Sequence, residues 1–92
     1  MIRSFRCGET KAIFEGEGSV RFRSIERPAK RRLDLLAAAP NLRDLAAIRS
    51  NRLEALAGDR KGQHSIRVNQ QWRICFVWKG NDAWDVELVD YH

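Results

Sequence analysis

The 92-residue chain has two cysteines, two prolines, two histidines and one tyrosine, and no apolar run long enough for a membrane span, which needs roughly 18 to 20 residues. Cys7 and Cys75 are too far apart in the chain to form a paired metal-ligand motif, and two lone thiols do not make a disulfide framework. The start, "MIRSFRCGETK", has no apolar stretch that would direct export. The expectation is a cytoplasmic protein with free thiols and no membrane partner. There is no phosphate-binding glycine loop of the nucleotide-hydrolase type, no internal repeat and no low-complexity tract. His64, His92 and the cysteines lack ligand spacing, so neither a metal nor a cofactor is expected.

What the chain does have is positive charge. Lys and Arg number 17 against 12 Asp and Glu, and 13 of the 17 are arginine, whose planar fork matches phosphate. Residues 76 to 92 set Lys79 against Asp82, Asp85, Glu87 and Asp90, a net of −3, which leaves +8 on residues 1 to 75. Any anion-binding surface is therefore built mainly by the first three quarters of the chain.

One domain over residues 1–92 accounts for the length. "MIRSF" reads as a short first strand, and Thr10 as the cap of a brief helix that "GEG" at 16 to 18 ends. Ile25, Ala29, Leu33, Leu36 and Ala37 mark the clearest helix, with Pro28 in its first turn and Pro40 past its end. Its other face gathers Arg27, Lys30 and Arg31, with Arg21, Arg23 and Arg32 nearby. That face is either simply solvated or a surface that tracks an RNA backbone. "NLRDLAAI" is a short helical stretch, and Leu53 and Leu56 mark a strand remnant before the basic turn "GDRKG".

Three strands follow. "HSIRVN" alternates Ile66 and Val68 against Arg67; "WRICFVW" puts Trp72, Ile74, Phe76 and Trp78 on one face and Arg73, Cys75 and Val77 on the other. "KGND" fits a hairpin, after which Trp84, Val86 and Leu88 are expected inward and Asp85, Glu87, Val89 and Tyr91 outward. The whole predicts an α+β fold: a short N-terminal strand and two to three helices packed on one face of an antiparallel sheet that a C-terminal meander completes. Arg67, Arg73 and Tyr91 then share the face away from the helices.

Arg73, Tyr91, His92 and the cations of the 58 to 62 turn form a set able to cut RNA without a metal. Such cleavage needs a base for the 2′-hydroxyl proton, a cation for the charge growing on the phosphate oxygens, and an acid for the departing 5′-oxygen. Histidine titrates near pH 6.5 and suits either proton role, and arginine supplies fixed charge where it develops. The α-carboxylate of His92 favours its imidazolium, the form of a general acid, while a frayed terminus with no role is the plain alternative. Tyr91 either orients the phosphate or stacks on a base, or else only caps the core rim.

From "NRLEALAGDRKGQHSIRVNQQWRICFVW" to the terminal "VDYH", the sequence resembles the HigB toxins, a branch of the RelE superfamily in bacterial type II toxin–antitoxin modules. The likeness is close over residues 51 to 92 and looser before them. It implies a RelE-like fold and a ribosome-dependent endoribonuclease that enters the A site of the 70S ribosome, cuts translated mRNA, and is silenced by a HigA-type helix-turn-helix antitoxin, through which alone it would meet operator DNA. It assigns phosphate stabilisation to Arg73 and the terminal motif to Asp90, Tyr91 and His92, with Arg21, Arg23, Arg27, Lys30, Arg31 and Arg67 as RNA contacts. Where the family often has lysine, in "LKGDRKGQ", this chain has Ala57, and Glu54 stands where some relatives place histidine. Ala57 implies weaker activity, replacement by Arg60 or Lys61, or an attenuating substitution; Glu54 is either a base or an exposed residue without a role. A non-nuclease toxin of the same fold, like the ParE gyrase inhibitors, and a plain RNA-binding module are the other readings.

Overall fold

A computed structural model describes residues 1–90; Tyr91 and His92 lie outside the described residues. Helices α1 (Gly8–Phe14), α2 (Glu26–Ala38) and α3 (Leu42–Ala47) precede strands β1 (Glu54–Ala55), β2 (Gln63–Arg67), β3 (Trp72–Lys79) and β4 (Asp82–Asp90). The strands form one antiparallel sheet in the order β1-β2-β3-β4. None of the described helices is long and apolar enough to cross a membrane.

Helix α1 ends as "GEG" suggests. Gly16 takes a left-handed φ of 82°, its N–H donates to the Ile13 carbonyl at 3.1 Å, and the Glu17 N–H reaches back to Ala12 at 2.9 Å. Thr10 does not cap the helix: Cys7 stands at the cap without a side-chain bond, and Thr10 is fully buried within α1. Its hydroxyl accepts the Leu88 N–H of β4 at 3.1 Å, so it satisfies a sheet donor rather than a helix end. Asn41 caps α3, accepting the Asp44 N–H at 2.9 Å.

Along α2, Ala29, Leu33 and Leu36 are fully buried and meet Ile66, Ile74, Phe76, Ala83, Val86 and Leu88 of the sheet in one core. Trp72 and Trp78 flank it, Trp72 meeting the Phe22 ring edge-on at 5.3 Å. The aromatic stripe of β3 thus packs on the helices, and alternation turns Arg73, Cys75 and Val77 to the other face.

The β3–β4 hairpin closes through Gly80 and Asn81, both left-handed, the backbone that a two-residue turn between twisted strands requires. The parity expected for β4 holds only in its second half. Cys75 pairs with Glu87 but Val77 pairs with Trp84, so Phe76 faces two residues, Asp85 and Val86. Asp85 makes this bulge with a φ of 53°. Ala83, opposite Trp78, is therefore the buried residue, and Trp84 turns outward, its indole N–H donating to the Lys79 carbonyl at 3.2 Å.

The expected first strand is two isolated parallel bridges, Ile2 to Ala83 and Phe5 to Val86, because the bulge interrupts the edge between them. The Ser4 hydroxyl fills that interruption by accepting the Asp85 N–H at 2.8 Å. Asp82 latches the segment, 2.9 Å from Arg3 and 3.3 Å from the Met1 ammonium. The hydrogen bond from Arg3 is the main cause that holds the Asp82 carboxyl below its ordinary value; desolvation opposes it and the ammonium adds to it. A depressed carboxylate contributes stability above its unfolded-state value and loses it as pH falls through the folded one. The N-terminal segment should therefore stay on β4 at neutral pH and loosen below about pH 4. Amide signals of Arg3 and Ala83 followed by NMR through an acid titration check this; signals that hold steady well below that range would contradict it.

Candidate functional site on the open face of the sheet

Register brings two rows together on the face away from the helices. Arg73 lies between Arg67 of β2 and Val89 of β4, and Cys75 between Ser65 and Glu87. Arg73 is 8% exposed and is buried on this face, not beneath the helices. Its Nε donates to the Ser65 hydroxyl at 2.7 Å, and its Nη2 donates to the Arg52 carbonyl at 2.6 Å and toward the Ser65 carbonyl at 3.4 Å. These three neutral acceptors fix the direction of the guanidinium.

Arg52 reaches this position through an unusual backbone. It follows the turn Arg49–Asn51 and takes a left-handed conformation, φ 45° and ψ 52°, which costs a non-glycine residue on the order of 1 kcal/mol. Asn51 holds the turn from inside. It is fully buried, its Nδ2 donates to the Leu45 carbonyl at 3.0 Å, and its Oδ1 accepts from Arg32 at 2.6 Å.

The basic turn comes onto the same face through one residue. Arg60 donates to Glu87 at 2.8 Å and to Gln63 at 3.0 Å, whereas Lys61 is exposed at the end of the turn Gly58–Arg60. Arg6 approaches the same Glu87 carboxylate at 3.8 Å. Burial pushes the Cys75 thiol up, overcoming the pull of Arg60 and Arg73, and Glu87 adds to the rise, so Cys75 is a packed thiol and not a nucleophile. Glu54 on the edge strand is exposed and pairs with Ser65, the residue that holds Arg73. Ala57 is exposed just before the turn.

The sequence-predicted residues do not all meet. Arg67, Arg73, Glu54 and Arg60 meet on the open face. Asp90, one residue beyond Val89, pairs with Trp72 and so has the opposite parity; it is exposed and accepts from Gln71 at 3.1 Å. Tyr91 and His92 lie outside the described residues. Arg21, Arg23, Arg27, Lys30 and Arg31 belong to α2 and the segment before it, on the other side of the sheet. Their charge is partly offset: Arg21 pairs with Glu9 at 3.2 Å, Lys30 with Asp34 at 2.8 Å, and the groove of Arg27, Lys30 and Arg31 is also lined by Glu17, Glu26 and Asp34.

Arg32 leaves that helical face. Its guanidinium turns to Asn51 and to the Ser50 hydroxyl, 3.2 Å away. The sequence placed Ser65 and Glu87 on the right strand faces without giving either a role in the site, and it missed Arg52. For Ser65 the signal was there, a small polar residue on the strand face opposite Ile66; for Arg52 nothing in the sequence announced it.

A family model described as "RelE-like toxin of type II toxin-antitoxin system HigB" matches residues 4–92. The chain is 33% identical to the Endoribonuclease HigB of Proteus vulgaris along the whole of both chains. It is 47% identical over 55 residues to the Toxin HigB-1 of Vibrio cholerae serotype O1, a stretch that spans 60% of this chain and 58% of that one. Among solved structures it is similar to the heterotetrameric YoeB-YefM toxin-antitoxin complex of Staphylococcus aureus, with a TM-score of 0.58 at 14% identity over 100% of this chain and 98% of that chain, a likeness of fold alone.

Proposed function

The chain belongs to the HigB family of RelE-like type II toxins, and on that premise we propose that its open sheet face is a ribosome-dependent endoribonuclease site for translated mRNA, silenced by a HigA-type antitoxin. One observation carries the reading. The Ser65 hydroxyl and the Arg52 carbonyl fix the direction of the Arg73 guanidinium on the open face, directly across from Val89 of β4.

In the proposed reaction the 2′-oxygen of the nucleotide before the cut attacks phosphorus, and the bond from phosphorus to the 5′-oxygen breaks. A base takes the 2′-hydroxyl proton, and an acid returns one to the 5′-oxygen, leaving a cyclic phosphate and a free 5′-hydroxyl. Arg73 stabilises the charge that develops on the phosphate oxygens. Tyr91 and His92 supply phosphate orientation and the acid, Glu54 on the open face serves as the base, and Asp90, of opposite parity, takes part only as a member of the terminal motif. Where the family often has a lysine, Arg60 is the cation that this fold turns onto the site; Glu87 fixes it in place and offsets part of its charge, so it orients more than it attracts. Arg21, Arg23, Arg27, Lys30 and Arg31 then face ribosomal RNA.

Binding to 70S ribosomes should weaken steeply as salt rises, because each arginine–phosphate contact releases condensed counterions, with a slope of roughly 0.7 to 0.9 per contact. Co-sedimentation across a salt series reads the slope. A flat response would remove RNA phosphate contacts from the account and with them the ribosomal site.

A further inference from the structure

Beside Arg73 lies a second feature that the reaction does not use. A cleft of about 370 Å³ is lined by Arg32, Arg52 and Arg67 with Ser50, Asn69 and Gln70, and among the described residues no carboxylate lines it. Among the described residues none of these three arginines pairs with a carboxylate, in contrast to Arg3, Arg6, Arg21, Lys30 and Arg60. Two of them are nonetheless held. Arg32 donates to Asn51 at 2.6 Å and to Ser50 at 3.2 Å, and Arg67 donates to the Asn69 carbonyl at 3.1 Å.

Neutral acceptors fix the direction of these guanidiniums and leave their positive charge uncompensated, which is the arrangement that favours an incoming anion. The surroundings of Arg32 agree: burial, and then the nearby charge of Arg31, hold its pKa below the ordinary arginine value, and the opposite charge of an anion in the cleft would offset both. The cleft is also continuous with the reacting face. Arg52 gives its carbonyl to Arg73, and Arg67 is the cross-strand partner of Arg73. The larger groove along α2 lacks this character, since Glu17, Glu26 and Asp34 share it with the cations.

We propose that this cleft is a phosphate subsite, holding the backbone linkage of single-stranded RNA that neighbours the linkage at Arg73. The proposal rests on the nuclease reading of the Arg73 face, and it gives that face a reason to grip an unpaired strand rather than a single phosphate. Arg32 is tied to a buried asparagine, so the informative changes are Arg52→Asn and Arg67→Gln together. Asparagine accepts a left-handed backbone, which keeps the Arg52 carbonyl on Arg73 while the cation is removed.

The test is a fluorescence-anisotropy titration of a labelled RNA tetranucleotide, 2′-O-methylated against cleavage, with the wild-type and doubly substituted proteins across a salt series. Matched thermal melts show that the double variant folds. The expected result is affinity about tenfold weaker in the double variant and a salt slope shallower by roughly 1. Equal affinity and equal slope for the two proteins overturn the proposal, and so does a wild-type protein that binds no tetranucleotide. A wild-type protein that binds with the expected dependence yet cuts no mRNA in a translating extract leaves the subsite standing and removes the nuclease reading instead.

Discussion

Arg73→Ala should lower mRNA cleavage by about a hundred- to a thousandfold, the roughly 2.7 to 4 kcal/mol lost when one preorganised charge-stabilising donor is removed. The sequence alone predicts little loss of fold from this change, but the structure shows more at stake. Arg73 is nearly buried and fills acceptors on Ser65 and on the Arg52 backbone, so the truncation should also cost about 1 to 3 kcal/mol of stability. Arg73→Lys separates the two effects. Lysine keeps a charge but not the planar fork that the Ser65 hydroxyl and the Arg52 carbonyl hold in one direction, so the charge is no longer aimed and cleavage should still fall strongly. Cleavage kinetics beside thermal melts of both variants check this: near-normal rates in Arg73→Ala would take Arg73 out of the reaction, and near-normal rates in Arg73→Lys would show that charge alone suffices, without the aimed fork.

Asn51→Ala should produce the largest loss of stability away from the sheet. It strips a fully buried side chain from the Leu45 carbonyl and from Arg32, leaving the first with the long Ile48 N–H contact at 3.3 Å and the second with the Ser50 hydroxyl at 3.2 Å. Such a loss costs about 2 to 4 kcal/mol, or about 10 to 25 °C in melting temperature for a domain of this size. It should also reach the site. Asn51 immediately precedes Arg52, whose left-handed backbone aims its carbonyl at Arg73, so protein that stays folded at low temperature should still cleave more slowly than wild type. A melting temperature within a few degrees of wild type would show that the turn is held by other contacts.

How much of this was legible in the sequence varies with the range of the interaction. "KGND" announces a two-residue hairpin because glycine and asparagine accept the left-handed backbone that such a turn needs, and both residues adopt it. The alternation of "WRICFVW" is enough to turn Arg73 from the helices, since its aromatic and aliphatic partners claim the core. The same logic failed at Trp84. A bulge shifts parity by one residue, and this one is made by Asp85 at positive φ, which local sequence does not mark.

Thr10 and Arg32 failed for a related reason. Each has a local role that fits its neighbours, as a helix cap or as one of a row of solvated cations. Each in fact bonds to a group far along the chain: Leu88 for Thr10, and Asn51 with Ser50 for Arg32. The candidate site was half legible on these terms. Strand alternation put Ser65, Arg67, Arg73 and Glu87 on one face, but which of them meet depends on cross-strand register, and Arg52 joins them only through an irregular turn.

The measurement that bears most directly on the account is a map of new mRNA 5′ ends in a translating extract, made with the wild-type protein, with Arg73→Lys, and with a form lacking Tyr91 and His92. The account expects cuts confined to translated codons, carrying free 5′-hydroxyls, strongly reduced in Arg73→Lys and absent from the truncated form, although all three still bind the antitoxin. Cuts that persist in the truncated form, or that appear equally on untranslated RNA, would contradict it.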